Sequence, residues 1–369
     1  MGKISLDGSF WKKIHKLGKK RANGEEKPSH SWKAWKSIPR RHLAAGALCL
    51  LCLALMAVCY SRYAVYGGLL PSQEAAQRWK GDSEQRFAQV SLFFPRDGEV
   101  KESDVEAFRR TVDGKLQEAS LTAPENGALW TDAYSSMGKL TVSSDKASTS
   151  AVAIGISGDY FLFHPLTLRH GSYIWGEDLM KDRVVLDEEL AWRLFGGVEL
   201  AGLSLTIEGK PYWIAGVVAR EDDPLSRMAM EEDQGYIFVD HSLLASEDTG
   251  VGCYELVAPD PVGGFALSLA EEGFSVGKIS VENSSRFAIG HIWQSFRHWQ
   301  SLLMAKDGIA LPYWENAARV CAAYRLLYFL LMLFCGLFPA ACAVYILIRQ
   351  YVKLLRRYQK WRAARKEYD

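Results

Sequence analysis

The sequence predicts an α+β extracytoplasmic domain, a β-α-β base with an inserted β-rich lobe, between two transmembrane helices. Residues 42–61 and 326–348 contain no Asp, Glu, Lys or Arg, which gives apolar runs of 20 and 23 residues. Each run is long enough to cross about 30 Å of hydrocarbon as a helix. Between the runs, patterns typical of strands alternate with patterns of helical spacing. These observations together predict the fold class.

Charge is distributed unevenly, although the formal net charge is only +1. Residues 1–41 contain 12 Lys/Arg against 3 Asp/Glu, residues 349–369 contain 8 against 2, and residues 62–325 have a net charge of −14. Lys and Arg near a span stay on the cytoplasmic side, so both termini are predicted to be cytoplasmic, with 62–325 outside the cytoplasm. A cleaved signal peptide is the alternative for the first run, but its length and the residues before it favour a retained anchor.

Two β-α-β units are predicted, one on each side of the middle of the outer segment. The first comprises strand 86–94, helix 104–119 with a capping box of Ser103 and Glu106, and strand 139–143. The second comprises strand 253–257, helix 263–272 and strand 275–281. The simplest architecture joins both units into a base near the membrane and inserts the middle as a second lobe.

The predicted lobe covers residues 151–220 and is rich in short strands. Its elements are strand 151–156, a turn at 157–159, the aromatic pair Tyr160 and Phe161, a turn at 169–171, strand 184–186, helix 188–195, and strands 203–207 and 212–218 joined at Gly209 and Lys210.

Six short motifs follow one another in this lobe. They are Gly155-Ile-Ser-Gly-Asp-Tyr-Phe161, His170-Gly171, Val184-Val-Leu-Asp-Glu-Glu-Leu-Ala191, Leu194-Phe-Gly196, Gly202-Leu-x-Leu-x-Ile207 and Ile214-Ala-Gly-Val-Val218. Their order resembles the periplasmic core domain of MacB-type ABC transporter permeases. The resemblance implies a domain outside the cytoplasm, between a first transmembrane helix and an FtsX-type membrane domain.

The predicted membrane part departs from that family pattern. MacB-type permeases have three further spans after the core domain, with cytoplasmic features that meet the ATPase, whereas one span is predicted here. The resemblance therefore implies a truncated FtsX-type membrane part. It also implies two partners, a separate ATP-binding cassette ATPase and a further permease chain.

Six segments are predicted along the chain. They are a cytoplasmic basic segment (1–41), transmembrane helix 1 (42–61), a MacB-like core domain (62–284), a helical stalk (285–325), transmembrane helix 2 (326–348) and a cytoplasmic basic tail (349–369). The stalk is predicted to contain helices 285–305 and 313–324. Membrane lipid is an expected partner, because residues 8–21 form a basic amphipathic pattern, although a disordered tail is the alternative. No nucleic-acid partner is expected.

The sequence predicts no catalytic, cofactor-binding or metal-binding residues. It contains no Gly-x-x-x-x-Gly-Lys-Ser/Thr, and Glu208-Gly209-Lys210 is followed by Pro211 in a predicted turn, so ATP hydrolysis requires a partner. The acidic clusters 221–223 and 231–233 lack EF-hand spacing, which favours a solvated loop at the tip of the lobe over a Ca²⁺ site. Between these clusters, Arg227, Met228 and Met230 are candidate partner contacts.

Pro339 is a candidate hinge in the second span, because proline removes one helical hydrogen bond. If helices from 285 onward continue into that span, the outer domain and the basic tail form one lever. A static kink that improves packing is the alternative. A flexible insertion between Gly308 and Pro312 is then expected to abolish function but not expression.

The leading functional hypothesis is a non-enzymatic membrane subunit of a MacB-like ABC assembly, coupling to export or mechanotransmission. A doubly anchored extracytoplasmic binding, sensor or scaffolding protein is the alternative. A third hypothesis, an anchored extracytoplasmic enzyme, requires a catalytic cluster that the sequence does not show.

Overall fold

A computed structural model describes residues 39–95, 100–121, 123, 127–230, 234–245, 250–288, 290 and 308–366. The chain divides into two units, Met56–Phe334 and the pair Met1–Leu55 with Cys335–Asp369. The basic segment 8–21, the acidic cluster 231–233 and most of the predicted helix 285–305 lie outside the described residues.

The described residues contain ten strands. They are β1 (Phe87–Phe93), β2 (Thr131–Ser143), β3 (Ser148–Gly158), β4 (Leu168–Gly171), β5 (Arg183–Asp187), β6 (Ser204–Ile207), β7 (Lys210–Val218), β8 (Tyr236–Asp240), β9 (Cys253–Pro259) and β10 (Ile279–Glu282). They form one sheet in the order β10-β1-β9-β2-β3-β8-β5-β7-β4, with β6 pairing with β2 and β7.

Nine α-helices accompany the sheet in the described part of the chain. They are α1 (Arg40–Gly67), α2 (Ala75–Lys80), α3 (Glu102–Glu118), α4 (Tyr160–Phe163), α5 (Glu188–Phe195), α6 (Pro224–Ala229), α7 (His241–Leu244), α8 (Phe265–Gly273) and α9 (Tyr313–Lys366). A short 3₁₀ turn, Pro71–Gln73, precedes α2. The predicted α+β class is confirmed.

The base has the split β-α-β arrangement of ferredoxin-like folds. Strands β10, β1, β9 and β2 lie side by side and pair antiparallel, and α3 and α8 supply the two helical connections. The remaining strands are inserted between β2 and β9 in the chain. This placement confirms an inserted β-rich lobe.

Base and lobe share a continuous sheet through the long β2–β3 hairpin. Its register runs from Ala133 opposite Gly158 to Ser143 opposite Ser148. β3 then pairs with β8, a parallel strand that the sequence reasoning missed. β4 was also missed, because residues 169–171 were interpreted as a turn although they pair with β7.

Helix α3 buries one apolar face, as its periodicity predicts. Val105, Phe108, Val112 and Leu116 follow helical spacing and are all buried. The predicted cap was wrong, because the helix begins at Glu102 rather than Asp104. The backbone N–H of Lys101 donates to Asp104 Oδ2 at 2.9 Å, so the cap lies two residues earlier than predicted.

The turn between β6 and β7 comprises Glu208 and Gly209. Both residues have positive φ, 50° and 84°, as a two-residue type I′ turn requires. The turn therefore lies one residue before the predicted Gly209-Lys210 pair. Its position in a hairpin agrees with the interpretation of this Gly-Lys fragment as a turn rather than a phosphate loop.

In the described part of the chain, two helices, α1 and α9, are long and apolar enough to cross a membrane, and each contains an 18-residue stretch with a mean hydropathy of 2.4. They contain the two predicted spans. α9 continues through Pro339 to Lys366, so the predicted helix 313–324, the second span and most of the basic tail form one element. The described residues 308–312 are not helical, and α9 begins at Tyr313, the predicted start of the second stalk helix.

Candidate functional site at the helix anchor

The first turn of α9 is buried in the core of the outer domain. Tyr313, Trp314 and Glu315 are 4, 3 and 1% exposed. The Trp314 ring centroid lies 4.4 Å from that of His164 and 6.0 Å from that of Tyr160. We call this region, together with the end of α1 and helix α6, the helix anchor.

A buried polar network lies against Trp314. His164 Nε2 and Glu255 Oε2 are 2.5 Å apart, and both residues are almost fully buried. Ser91 Oγ donates to Glu255 Oε1 at 3.0 Å, and Asn283 Nδ2 donates to Ser91 Oγ at 2.7 Å. Since each oxygen of the Glu255 carboxylate has a partner, the network avoids the cost of an unpaired buried charge.

The chain around His164 is fixed by Arg78, which lies on α2. Its guanidinium donates to the carbonyl oxygens of Leu162 and Phe163 at the end of α4. Helix α2 itself packs on the sheet, with Ala75 and Ala76 buried. The chain after α1 is thus part of the domain core.

Glu315 holds α9 to the domain by charge. Arg286 Nη1 and Nη2 donate to the two oxygens of Glu315 at 2.7 and 2.9 Å, and Arg319 Nε donates at 2.9 Å. Both arginines are about 10% exposed on the side chain, and Glu315 is 1% exposed. A bidentate guanidinium–carboxylate pair fixes both distance and orientation, so this contact sets the rotation of α9 in the domain.

Glu221 lies beside the first residue of α9. Burial raises the pKa of this carboxyl group, while a hydrogen bond with Tyr313 and the nearby His164 oppose the increase. A raised pKa favours the protonated carboxyl group in the folded domain. Glu221 therefore belongs to the anchor rather than to an exposed acidic cluster.

The ends of α1 and α9 contact each other through aromatic rings. Tyr66 stacks on Tyr324 and Tyr328 with centroid distances of 5.2 and 5.7 Å. Cys321 Sγ donates to the carbonyl oxygen of Tyr66 at 3.0 Å. These contacts join the end of α1 to α9.

Arg325 completes the contact between the two helices. Its guanidinium carbon lies 4.1 Å from the centroid of the Tyr63 ring and 4.9 Å from that of Phe287. A Cβ added at Gly67 would lie 2.2 Å from Arg325 Nη1, so only glycine permits this approach. Cation–π contacts of this kind stabilise by about 0.5–2 kcal/mol each.

Helix α6 packs into the anchor, not at the tip of the lobe. Leu225 is 1% exposed and clusters with Leu70, Ala317, Ala318 and Cys321. The carboxylate of Asp223 caps the helix by accepting from Leu225 N and Ser226 N at 2.9 and 3.0 Å. The predicted location of residues 221–230 in a loop at the tip was therefore wrong.

The three candidate contact residues differ in exposure. Arg227 pairs with Asp222 and keeps 65% of its side chain exposed, and Met228 is 66% exposed. Met230 is 8% exposed and packs in the core. A partner could thus reach Arg227 and Met228, whereas the side chain of Met230 fills the core.

The remaining site predictions concern metal binding and the hinge. No group of three or more His, Cys, Asp or Glu side chains that could hold a metal ion occurs among the described residues. Pro339 lies inside α9, whose helix continues on both sides of it. The hinge role of Pro339 stays a prediction.

Comparison with known families identifies the outer domain. A family model, the MacB-like periplasmic core domain, matches residues 73–269, which is more than half of the chain. The chain belongs to this family. The MacB-like periplasmic core domain lies between two helices able to cross a membrane, so the chain is a membrane protein with an extracytoplasmic segment. Its family is that of transporter permease components.

The solved structures similar to this chain include two from transporters. The periplasmic region of MacB from Actinobacillus actinomycetemcomitans is 16% identical, with a TM-score of 0.41, over 57% of this chain and 92% of that one. The extracellular domain of the noncanonic ABC-type transporter YknZ from Gram-positive bacteria is 15% identical, with a TM-score of 0.35, over 53% of this chain and 98% of that one. No curated protein matches the chain significantly. The family assignment therefore rests on the match over residues 73–269.

Proposed function

We propose that the chain is a non-enzymatic membrane subunit of a MacB-like ABC transporter assembly. A separate ATP-binding cassette ATPase and a further permease chain complete the assembly. The outer domain couples to export or mechanotransmission that the ATPase drives. One observation carries the proposal: α9 begins in the buried core of a MacB-like domain and continues as a single helix through an apolar segment to a basic tail.

The anchor explains how movement of α9 would reach the outer domain. Pulling Glu315 away from Arg286 and Arg319 would leave buried charges unpaired, which costs about 3–5 kcal/mol. Trp314 would also lose its contacts with His164 and Tyr160. Rotation or translation of α9 is therefore less costly when the outer domain moves with it.

The orientation that fits this proposal places both termini in the cytoplasm of a bacterial plasma membrane. The Lys/Arg excess of residues 1–41 and 349–369 supports it, because basic flanks stay on the cytoplasmic side. The basic end of α9 is then available to an ATPase, while the MacB-like domain lies outside.

We test the assembly by affinity isolation of the tagged chain from its native membranes in mild detergent, followed by mass spectrometry. An ATP-binding cassette ATPase and a second membrane subunit are expected in the isolate, in comparable amounts to the tagged chain. Recovery of extracytoplasmic proteins without any ATPase contradicts the transporter proposal. That result favours the doubly anchored binding, sensor or scaffolding protein.

Arg227 and Met228 are proposed to contact a partner in that assembly, because both are exposed on α6, which is part of the anchor. Combined replacement of both by Ala is expected to reduce partner recovery. Replacement of Arg110 and Val262 by Ala is the matched control, since these exposed residues lie on the base, away from α6. Equal recovery with both double variants contradicts the assigned contact.

A further inference from the structure

A groove lies between α1 and α9 within the unit of Met1–Leu55 and Cys335–Asp369. Its volume is about 570 Å³. Ala45, Gly46 and Cys49 line it from α1, and Ala341 and Cys342 line it from α9. The small side chains keep the floor open, and the Cys49 and Cys342 thiols contact each other across it.

The groove changes from apolar to basic along its length. Arg349 and Lys353 line one end, together with His42 near the start of α1. No carboxylate among the described residues forms an ion pair with Arg349 or Lys353. Two exposed cations therefore border an apolar groove without a counter-charge from the described part of the chain.

The length of the groove matches half a bilayer. Ala341 and Lys353 are about 18 Å apart along the axis of α9, since each helical residue adds 1.5 Å. One leaflet contributes about 15 Å of hydrocarbon. Arg349 and Lys353 follow the apolar run 326–348, which places them at the level of lipid headgroups.

We propose that this groove binds one anionic phospholipid. The phosphate group contacts Arg349 and Lys353, and an acyl chain lies along Gly46, Cys49 and Cys342. Basic pockets between transmembrane helices are suited to acidic headgroups because both the charge and the apolar wall contribute to binding. A helix of another chain would fill the apolar part but leave both cations without a counter-ion.

The proposed site is independent of the proposed transport function. It also differs from the predicted surface contact of residues 8–21, because it uses a groove formed by two helices. Binding of a lipid here would fix the spacing of α1 and α9 at their basic ends. Its occupancy is measurable on the isolated chain, whatever the ATPase does.

The test is native mass spectrometry of the full-length protein in detergent, titrated with dioleoyl phosphatidylglycerol. Dioleoyl phosphatidylcholine has the same acyl chains and is the zwitterionic control, and inorganic phosphate is the headgroup control. One phosphatidylglycerol per chain is expected to bind at least tenfold more tightly than phosphatidylcholine. Inorganic phosphate in excess is expected not to displace the lipid, because it lacks the acyl chains.

Two double variants distinguish binding in the groove from general electrostatic attraction by the basic tail. Arg349→Ala with Lys353→Ala is expected to weaken phosphatidylglycerol binding about 30-fold, since each cation near the surface contributes about fivefold. Arg356→Ala with Arg357→Ala removes the same charge from α9 outside the groove, and we expect its binding to change less than threefold. Equal weakening in both double variants overturns the site, because it indicates attraction by the basic tail alone.

Cross-linking verifies the helix pair in every variant. Copper phenanthroline oxidises the facing thiols of Cys49 and Cys342 to a disulfide, detected by peptide mass spectrometry. Retained cross-linking with lost lipid binding supports the proposal, because the groove is intact and only its cations are missing. Equal binding of both lipids, displacement by phosphate, or a co-purified helix that protects both thiols in place of lipid overturns it.

Discussion

Asp187 combines a capping role with burial. Its Oδ1 accepts from Leu190 N at 2.7 Å at the start of α5, and the residue is 2% exposed. Burial raises the pKa of this carboxyl group to about 6, although backbone hydrogen bonds from Leu190 and Tyr236 lower it. The folded domain therefore favours neutral Asp187 more than the unfolded chain does.

Replacing Asp187 by Asn is expected to change how stability depends on pH. The folded pKa is raised, so the contribution of Asp187 is present below its unfolded pKa and is lost as the pH rises through 6. Between pH 4 and pH 7.5 the free energy of unfolding of the wild type should fall by about 2 kcal/mol relative to that of Asp187→Asn, in which Asn still caps the helix. Calorimetry of both proteins at the two pH values measures this difference. A constant difference would contradict the assigned pKa.

Trp314 packs the first turn of α9 into the core of the domain and is 3% exposed. Trp314→Ala should lower the free energy of unfolding by about 3–5 kcal/mol, because it removes a buried ring beside His164 and Tyr160. In a domain of this size that lowers the Tm by about 10 °C. Trp192→Ala, at a position 55% exposed on α5, is the matched control and should change the Tm little. Similar decreases in both variants would argue against Trp314 as an anchor.

At the scale of elements, the predicted helix 313–324, the second span and most of the basic tail form the single helix α9. The expected insertion site between Gly308 and Pro312 precedes α9, and Trp314 and Glu315 would keep their partners after an insertion there. Such an insertion is therefore no longer expected to uncouple the domain. An insertion inside α9, beyond the anchor, is the informative one.

Two seven-residue insertions between Leu326 and Leu327, one flexible and one helical, test whether α9 transmits movement. A Gly-Ser insertion interrupts α9, whereas seven alanines continue it for nearly two full turns and preserve its facing residues within about 20°. With the Gly-Ser insertion, the state of the outer domain should no longer affect the rate of ATP hydrolysis by the isolated assembly. With the alanine insertion, the outer domain should still affect that rate. The same behaviour of both variants would exclude α9 as the mechanical connection.

Elements defined by local chemistry could be predicted, and those defined by distant pairing could not. Helix Glu188–Phe195 was predicted to the residue, because Asp187 caps it and Gly196, with φ of 78°, ends it. The sequence reasoning missed β8, since periodicity alone does not distinguish a short apolar strand from a buried helix segment.

The anchor was missed for the same physical reason. Arg286 lies 29 residues from Glu315 in the chain, and Ser91 lies 164 residues from Glu255. Only the pair of Glu315 and Arg319, four residues apart beside Trp314, gave a local signal. Charged residues next to a span were interpreted as its boundary, although Arg325 is only 8% exposed.

For the whole molecule, the proposed topology predicts which positions a membrane-impermeant maleimide can label. Leu179, 97% exposed in the lobe, should be labelled in spheroplasts after Leu179→Cys. Lys360→Cys in the basic tail should be labelled only after permeabilisation. The described Cys253 and Cys321 are buried, and the other five cysteines lie in the apolar helices, so background should be low. Labelling of Lys360→Cys in intact spheroplasts would reverse the orientation.

The position of β1 between β9 and β10 has a consequence for synthesis of the protein. β1 leaves the ribosome first among the strands, yet its partner β9 follows about 160 residues later. At about 5–20 residues per second, β1 waits about 8–30 s with both edges unpaired. Meanwhile the β2–β3 hairpin, whose partners are close in the chain, can already close. The base is thus completed last, although its first strand is made first, and β1 needs protection from aggregation during that interval.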